Sequence, residues 1–419
     1  MIHRTSHAGS PGGRRHLSTA AAAVVASVVF IAGCSSDTGS AGSPTTGASD
    51  SGAASTAVGP TEPTSTGDGF ALPDDRVAKV TEAGLTIAEP RYSEQPDGVP
   101  GPTEEWPTGD LPDEVDSGTI DDIVATAFAE DDSGDTIDAI LAVQGGELVL
   151  EEYNGWDPDA AHNSWSMAKS INSALVGILV GEGRLDIWEP VDAPEWDDPD
   201  DPRAEITLDQ LLRMSSGLEW EESYTDPDAD VITTLGSDVD RAHYTADKLL
   251  AHEPDTFRCY STGTSNLIAR SVAEQVGYGE QLTGWADDAL FAPLGITSVR
   301  HNLDSEGLIS GGSFIDMTPQ DFARFGLLYA RDGVWDGTRI LPEGWVDYSR
   351  MPTFTMADGR YAAQWWLDPK RPDLFYASGF NGQSINVVPG KDLVIVVLST
   401  APGGRDNQVR DDLFDAFGV

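Results

Sequence analysis

Between Asn163 and Leu179 the chain reads NSWSMAKSINSALVGIL. From Met167 onward, apolar residues stand at 167, 171, 174, 175, 178 and 179. This is the 3.6-residue stripe of an α-helix. Val176 and Val180 carry the apolar character onto further faces, so the helix must be enclosed on several sides. Gly181, Gly183 and Arg184 supply a stop. A chain of 419 residues that is 39% hydrophobic can build such an enclosure, as one large domain or two ordinary ones.

One residue conflicts with the apolar run. Lys169 stands three residues after Ser166, on the same helical face. A lysine at the start of a helix opposes the positive end of the dipole, and burial penalises its charge. Both effects lower its pKa, and a neutral lysine beside a serine is a general base. The helix N-terminus also favours negative charge near the Ser166 oxygen. The segment alone equally allows a serine N-cap with a lysine that reaches out to water.

The rest of the chain supplies the frame. Ile120 to Ala129 has an amphipathic helical pattern. Ile137 to Val143 and Glu147 to Tyr153 flank Gln144-Gly145-Gly146 and read as a β-hairpin. Ile206 to Leu294 carries helical periodicity and loops. Thr318-Pro319 opens another helix, with Thr318 as N-cap and Pro319 at its first position. Three strand-like runs follow, at Ala362 to Leu367, Ser384 to Val388 and Leu393 to Leu398. Val409 to Phe417 reads as a terminal helix. Strands at both ends and helices between predict one sheet assembled from both ends of the domain, with a helical insertion.

Charge excludes some functions. The formal net charge is −45, from 70 acidic and 25 basic residues. Such a surface repels phosphate backbones, so no nucleic-acid partner is expected. The acidic run from Trp196 to Pro202 lacks an ordered ligand spacing and reads as a solvated loop. No His-Glu-x-x-His, Gly-x-Ser-x-Gly or phosphate loop occurs, and no metal or organic cofactor is implied.

The N-terminus has the pattern of an export signal. Arg4, Arg14 and Arg15 precede the uncharged run Ala20 to Ala32, which is shorter than the ~20 residues of a spanning helix. It ends in Ile31-Ala32-Gly33-Cys34, which resembles the lipobox of bacterial lipoproteins. The resemblance implies cleavage after residue 33, a lipid on Cys34 and an extracytoplasmic, membrane-anchored protein. Arg14-Arg15 also resembles a twin-arginine signal. Residues 34–69 hold no aromatic, Leu or Ile and read as a disordered tether. Residues 70–117 read as an acidic extension that wraps a neighbouring surface, with Trp106 as its apolar anchor. Residues 118–419 read as the compact domain. The chain has two cysteines, Cys34 and Cys259. With Cys34 lipidated, no disulfide is expected, and Cys259 reads as a small buried residue.

Further segments bear on Ser166. Arg258-Cys259-Tyr260-Ser261-Thr262-Gly263 lies well downstream. Phe375-Tyr376-Ala377-Ser378-Gly379-Phe380-Asn381-Gly382-Gln383 lies just before the strand at Ser384, and Ser378-Gly379 within it reads as a turn. Taken in order with Ser166-x-x-Lys169, Ile206 to Leu218, Asp321 to Leu328 and Gln364-Trp365-Trp366, they resemble the serine β-lactamase and penicillin-recognising superfamily. The nearest branch is the class C-like one of esterases, aminohexanoate-oligomer hydrolases and D-stereospecific peptidases. The resemblance covers about Gly118 to Val419. It implies a β-lactamase-like α/β (α+β) fold: a mainly antiparallel sheet flanked by helices, plus a helical subdomain.

The resemblance also implies roles. Ser166 is the acylated nucleophile, Lys169 takes its proton, and Tyr260 relays a proton to the leaving group. The backbone N–H groups of Ser166 and Phe380 form the oxyanion hole, and Ser378 and Gly379 line the strand edge beside the bound carbonyl. Tyr224, after Glu219-Trp220-Glu221-Glu222, is a candidate substrate contact. Trp365 and Trp366 read as core more than pocket, and Trp365 is the candidate to do both. Two positions depart from the family pattern. Tyr-x-Asn reads Tyr260-Ser261-Thr262, and Lys/His-Thr/Ser-Gly reads Ala377-Ser378-Gly379. Without a cation at 377, a monomeric ester or small-amide hydrolase is expected. A β-lactamase or D,D-carboxypeptidase and a non-catalytic wall- or peptide-binding lipoprotein are the alternatives.

Overall fold

A computed structural model describes residues 70–89, 91–129, 137–236, 238–400 and 405–419. The export signal, Cys34 and the tether lie outside the described residues. Six strands form one antiparallel sheet: β1 (Ile137–Gln144), β2 (Glu147–Tyr153), β3 (Trp366–Leu367), β4 (Phe375–Ser378), β5 (Ser384–Val388) and β6 (Leu393–Ser399). Their order is β2-β1-β6-β5-β4-β3. The central pairing joins the two ends of the domain, with Ile140 opposite Val397 and Val143 opposite Val394.

The central strands lack a polar-apolar alternation because both sheet faces are covered. Ile140, Ile395 and Val397 pack with Ile120, Ile123, Leu413 and Phe414 from the helices Ser117–Ala127 and Arg405–Ala416. Leu141, Val394 and Val396 belong to the larger core on the other face, with Phe322, Phe325, Ile171 and Leu175. There the helix Pro319–Ala330 lies against β5 and β6. A methyl group on Gly326 would stand 2.6 Å from a Val394 methyl, so glycine sets how closely helix and sheet approach. Thr318 caps this helix by accepting from the Asp321 amide, and Pro319 fills its first position, as the sequence predicts.

The segment before the domain is more ordered than its composition suggests. It contains a helix, Asp74–Glu82, held by Arg76, which pairs with Asp255 at 2.6 Å and Asp209 at 3.3 Å. Phe70 packs against Trp188, Trp345 and Tyr348. Trp106 is buried against the core, with the Arg324 guanidinium 5.4 Å from its ring centre. Phe70, Arg76 and Trp106 thus each hold this segment against the residues that follow it.

One reading is corrected and one strand is added. The run Ala362 to Leu367 is strand only at Trp366–Leu367, because Gln364 has a positive φ of 63° and turns the chain. The strand β4, which the sequence did not announce, runs up to Ser378 and is registered on β5 with Ser378 opposite Ser384. Cys259 is buried beside Trp220, Ala229 and Val231.

Candidate active site

Ser166 sits in a short 3-10 turn, Trp165–Met167, that runs into the buried helix Ala168–Gly181. The turn is strained. Trp165 has φ of 42°, an uncommon state for a bulky residue. Its surroundings hold it there. Its amide donates to the Asn163 side chain at 2.8 Å, and its ring contacts Tyr224, Phe314 and Phe380. Such strain persists where neighbours over-determine a conformation. Ser166 is not an N-cap: the helix has no side-chain cap, and the Ser166 hydroxyl faces Lys169 instead.

Lys169 does not reach water, being 1% exposed. Its Nζ lies 3.0 Å from Ser166 Oγ, 3.0 Å from Thr262 Oγ1 and 2.7 Å from the Gly312 carbonyl oxygen. Burial lowers its pKa to about 8, against an opposing pull from Glu222. A neutral lysine is thus accessible near physiological pH, as a general base requires.

Thr262 opens the helix Thr262–Val276, which Ser261 caps by accepting from the Thr264 amide. That start carries Tyr260 into the cleft. Tyr260 is buried, and its ring centre lies 5.0 Å from Lys169 Nζ and 5.4 Å from the Arg258 guanidinium. Burial holds its pKa well above the ordinary tyrosine value; Glu222 adds to the rise, while Ser166 and Arg258 oppose it. Tyr260 is accordingly a neutral phenol, suited to donating a proton.

The far wall comes from β4. A methyl group on Gly379 would lie 2.6 Å from the Ser164 carbonyl oxygen, so a glycine lets this strand end approach the nucleophile turn. Phe380 follows directly, and its ring stacks on Tyr224 at 4.6 Å and lies 5.3 Å from Trp165. This sets the Phe380 ring beside Trp165, the residue before Ser166. Ser378 ends the strand, half-buried, while Ala377 points into the core. The side of residue 377 that would carry a cation in the resembled family is therefore filled by hydrocarbon.

Of the two roles open to Trp365, core and pocket, the structure gives it the core. It is fully buried among Phe325, Tyr329 and Phe375. The turn at Gln364 sends its neighbour Trp366 the other way, onto Tyr260 and Tyr361. Tyr224 does join the site, donating to Glu222 at 3.2 Å.

Sequence reasoning missed two residues here. Glu222 is only 5% exposed, and it accepts from the Thr262 hydroxyl at 2.6 Å, the Thr262 amide at 2.8 Å and Trp220 Nε1 at 2.5 Å. Gly312 supplies a carbonyl to Lys169 because Gly311 and Gly312 pack tightly on Asn172 and Thr262. The missing amide at position 262 was the available signal, since something must take its place beside the lysine.

Comparison with known proteins gives a family and a fold. The β-lactamase family model matches residues 135–417. The 6-aminohexanoate-dimer hydrolase of Paenarthrobacter ureafaciens is 30% identical over 295 residues, covering 63% of this chain and 73% of that protein. Among solved structures, a penicillin-binding protein homologue from Caulobacter crescentus superposes with a TM-score of 0.58 at 14% identity, covering 74% of this chain and 99% of its own. A family VIII carboxylesterase gives a TM-score of 0.55 at 15% identity, over 74% of this chain and 99% of its own. Both structures share the fold.

Proposed function

The chain belongs to the β-lactamase family of hydrolases, and on that premise we propose that it cleaves an ester or small amide through an acyl-enzyme on Ser166. The observation that carries this reading is the fully buried Lys169, its Nζ 3.0 Å from the Ser166 hydroxyl. In the first step Lys169 Nζ takes the hydroxyl proton as Oγ bonds to the substrate carbonyl carbon. The carbonyl electron pair moves onto oxygen, where the amides of Ser166 and Phe380 receive it. Donors at such a position are typically worth several kcal/mol of barrier. Collapse breaks the bond to the leaving group, which takes a proton from Tyr260, and Tyr260 regains one from Lys169. Water then attacks the acyl-enzyme by the reverse proton path and frees Ser166.

The carbonyl donor is not expected to need a carboxylate. Ala377 offers no charge, and Trp165, Tyr224, Phe314 and Phe380 form an aromatic wall beside the nucleophile. Short p-nitrophenyl esters, the linear dimer of 6-aminohexanoate, D-amino-acid amides and benzylpenicillin should therefore be compared at equal enzyme concentration. The esters or the dimer should turn over fastest. Faster turnover of benzylpenicillin would favour a β-lactamase, and faster turnover of D-amino-acid amides a D-peptidase. Tight binding of wall peptides without turnover, retained in Ser166→Ala, would favour a binding protein.

The proposed location is extracytoplasmic, with a lipid on Cys34. Intact mass of the protein recovered from membranes should show a chain that begins at Cys34 and carries the lipid; an unmodified Cys34 would contradict this.

A further inference from the structure

Position 262 holds a threonine where the resembled family has an asparagine. A hydroxyl beside a catalytic amine is ambiguous, because it can donate or accept. Glu222 removes that ambiguity. Its ionised carboxylate only accepts, and the Thr262 hydroxyl lies 2.6 Å from Oε1, so the hydroxyl proton points at Glu222. Thr262 Oγ1 can then only accept from Lys169, at 3.0 Å. The Gly312 carbonyl, 2.7 Å away, is also an acceptor alone. A neutral lysine has two hydrogens and one lone pair. With both hydrogens claimed, the lone pair is left for the remaining neighbour, the Ser166 hydroxyl at 3.0 Å.

We propose that Glu222 is a positioning residue that fixes the polarity of the Thr262 hydroxyl and so aims the Lys169 lone pair at Ser166. The inference rests on the acyl-enzyme reading and deepens it. Glu222 touches no reacting atom. It is anchored by the Trp220 indole at 2.5 Å and the Thr262 amide at 2.8 Å, at the N-terminus of the helix Thr262–Val276, where a negative charge is favoured. It also accepts from Tyr224, so one carboxylate ties the base to the aromatic wall. The charged and titratable groups around Lys169 are Glu222, Tyr260, Tyr224 beside Ser166 and Thr262, and, across the Tyr260 ring, Arg258. Once Lys169 has taken the proton, the same carboxylate offsets its charge.

The test compares Glu222→Gln, Thr262→Val and Thr262→Ser with wild type in the full-length chain. Turnover of a p-nitrophenyl ester is followed against pH, alongside the rate of fluorophosphonate labelling. In Glu222→Gln the amide can donate to Thr262, the hydroxyl can turn toward Lys169, and the lone pair loses its aim. The expected result is a fall in kcat on the order of 10²-fold with KM little changed. The acid limb of kcat/KM should also move to lower pH, because Glu222 pulls the Lys169 pKa upward. Thr262→Val should reproduce the fall in kcat, and Thr262→Ser should restore most of the rate.

A merely structural role for Glu222 would lower Tm and active-enzyme yield, but leave the acid limb and the labelling rate per folded molecule where they are in wild type. That outcome, or equal rates in Thr262→Val and Thr262→Ser, would overturn the inference while the acyl-enzyme reading stands. Failure of the wild type to be labelled or to turn over any ester or amide would remove that reading and the inference with it.

Discussion

The central sheet and the seam holding Ser166 are both buried, yet opposite means hold them. From Ala139 to Val143 in β1 and from Leu393 to Leu398 in β6 every side chain is buried hydrocarbon, and the polar groups to be satisfied are those of the backbone, which the antiparallel ladder pairs. In the seam, a lysine, a glutamate, a threonine and a tyrosine are buried together, and most of their polar atoms meet a specific partner. A core of the first kind gains from every buried methylene. A seam of the second kind pays desolvation for each polar group and recovers only part of it. The contrast implies that substitutions in the sheet act on stability, while those in the seam act on chemistry and can even stabilise.

The largest effect should come from the nucleophile. Ser166→Ala should reduce ester turnover on the order of 10⁴-fold or more, with Tm unchanged or slightly raised, as steady-state kinetics and calorimetry would read. Lys169→Met comes next. It should cost at least about 10²-fold in kcat, yet raise Tm, because a buried amine is replaced by an apolar chain of similar length. The pH dependence of that gain follows from linkage. Lys169 binds its proton more weakly in the folded protein than in the unfolded chain, so the wild type is penalised fully below about pH 8. The penalty fades as pH rises toward the ordinary lysine value. The Tm difference between Lys169→Met and wild type should therefore be largest below pH 8 and shrink above it. A difference independent of pH would break the contrast.

Gly379→Ala sharpens it from the boundary between the two regions. The added methyl meets the Ser164 carbonyl 2.6 Å away, so the chain at Phe380, whose amide the proposed oxyanion hole uses, must shift. The expected loss in kcat is up to about 10²-fold, the scale of a misplaced oxyanion donor, with a modest fall in Tm. Ile395→Ala, in the centre of β6, should do the reverse. It should destabilise by about 2–5 kcal/mol, seen in denaturant unfolding, and leave the pH profile of the folded enzyme as in wild type.

The two regions also differ in how far they were legible beforehand. The sheet declared itself through runs of apolar residues such as Leu393 to Leu398, and the nucleophile helix through its stripe. Thr318-Pro319 announced a helix start that the structure reproduces. Ser166 and Lys169 were visible as a pair, since a lysine at the mouth of an apolar helix needs a reason. Glu222 was not, because nothing local distinguishes it from Glu219 and Glu221; only the fold brings it beneath Thr262. β4 was hidden because Ser378-Gly379 is turn-like in composition, and its pairing with β5 is a long-range fact. Trp365 and Trp366 were inseparable in sequence, and the positive φ at Gln364 decides which one meets the site.

The central claim is that a buried, neutral Lys169 activates Ser166. Its most direct test is intact-mass labelling of the full-length protein with a fluorophosphonate across pH, for wild type, Ser166→Ala and Lys169→Ala. Single labelling of wild type, rising through about pH 8 and lost in both variants, is the predicted result. Labelling that persists in Ser166→Ala, or that is unaffected by Lys169→Ala, would contradict it.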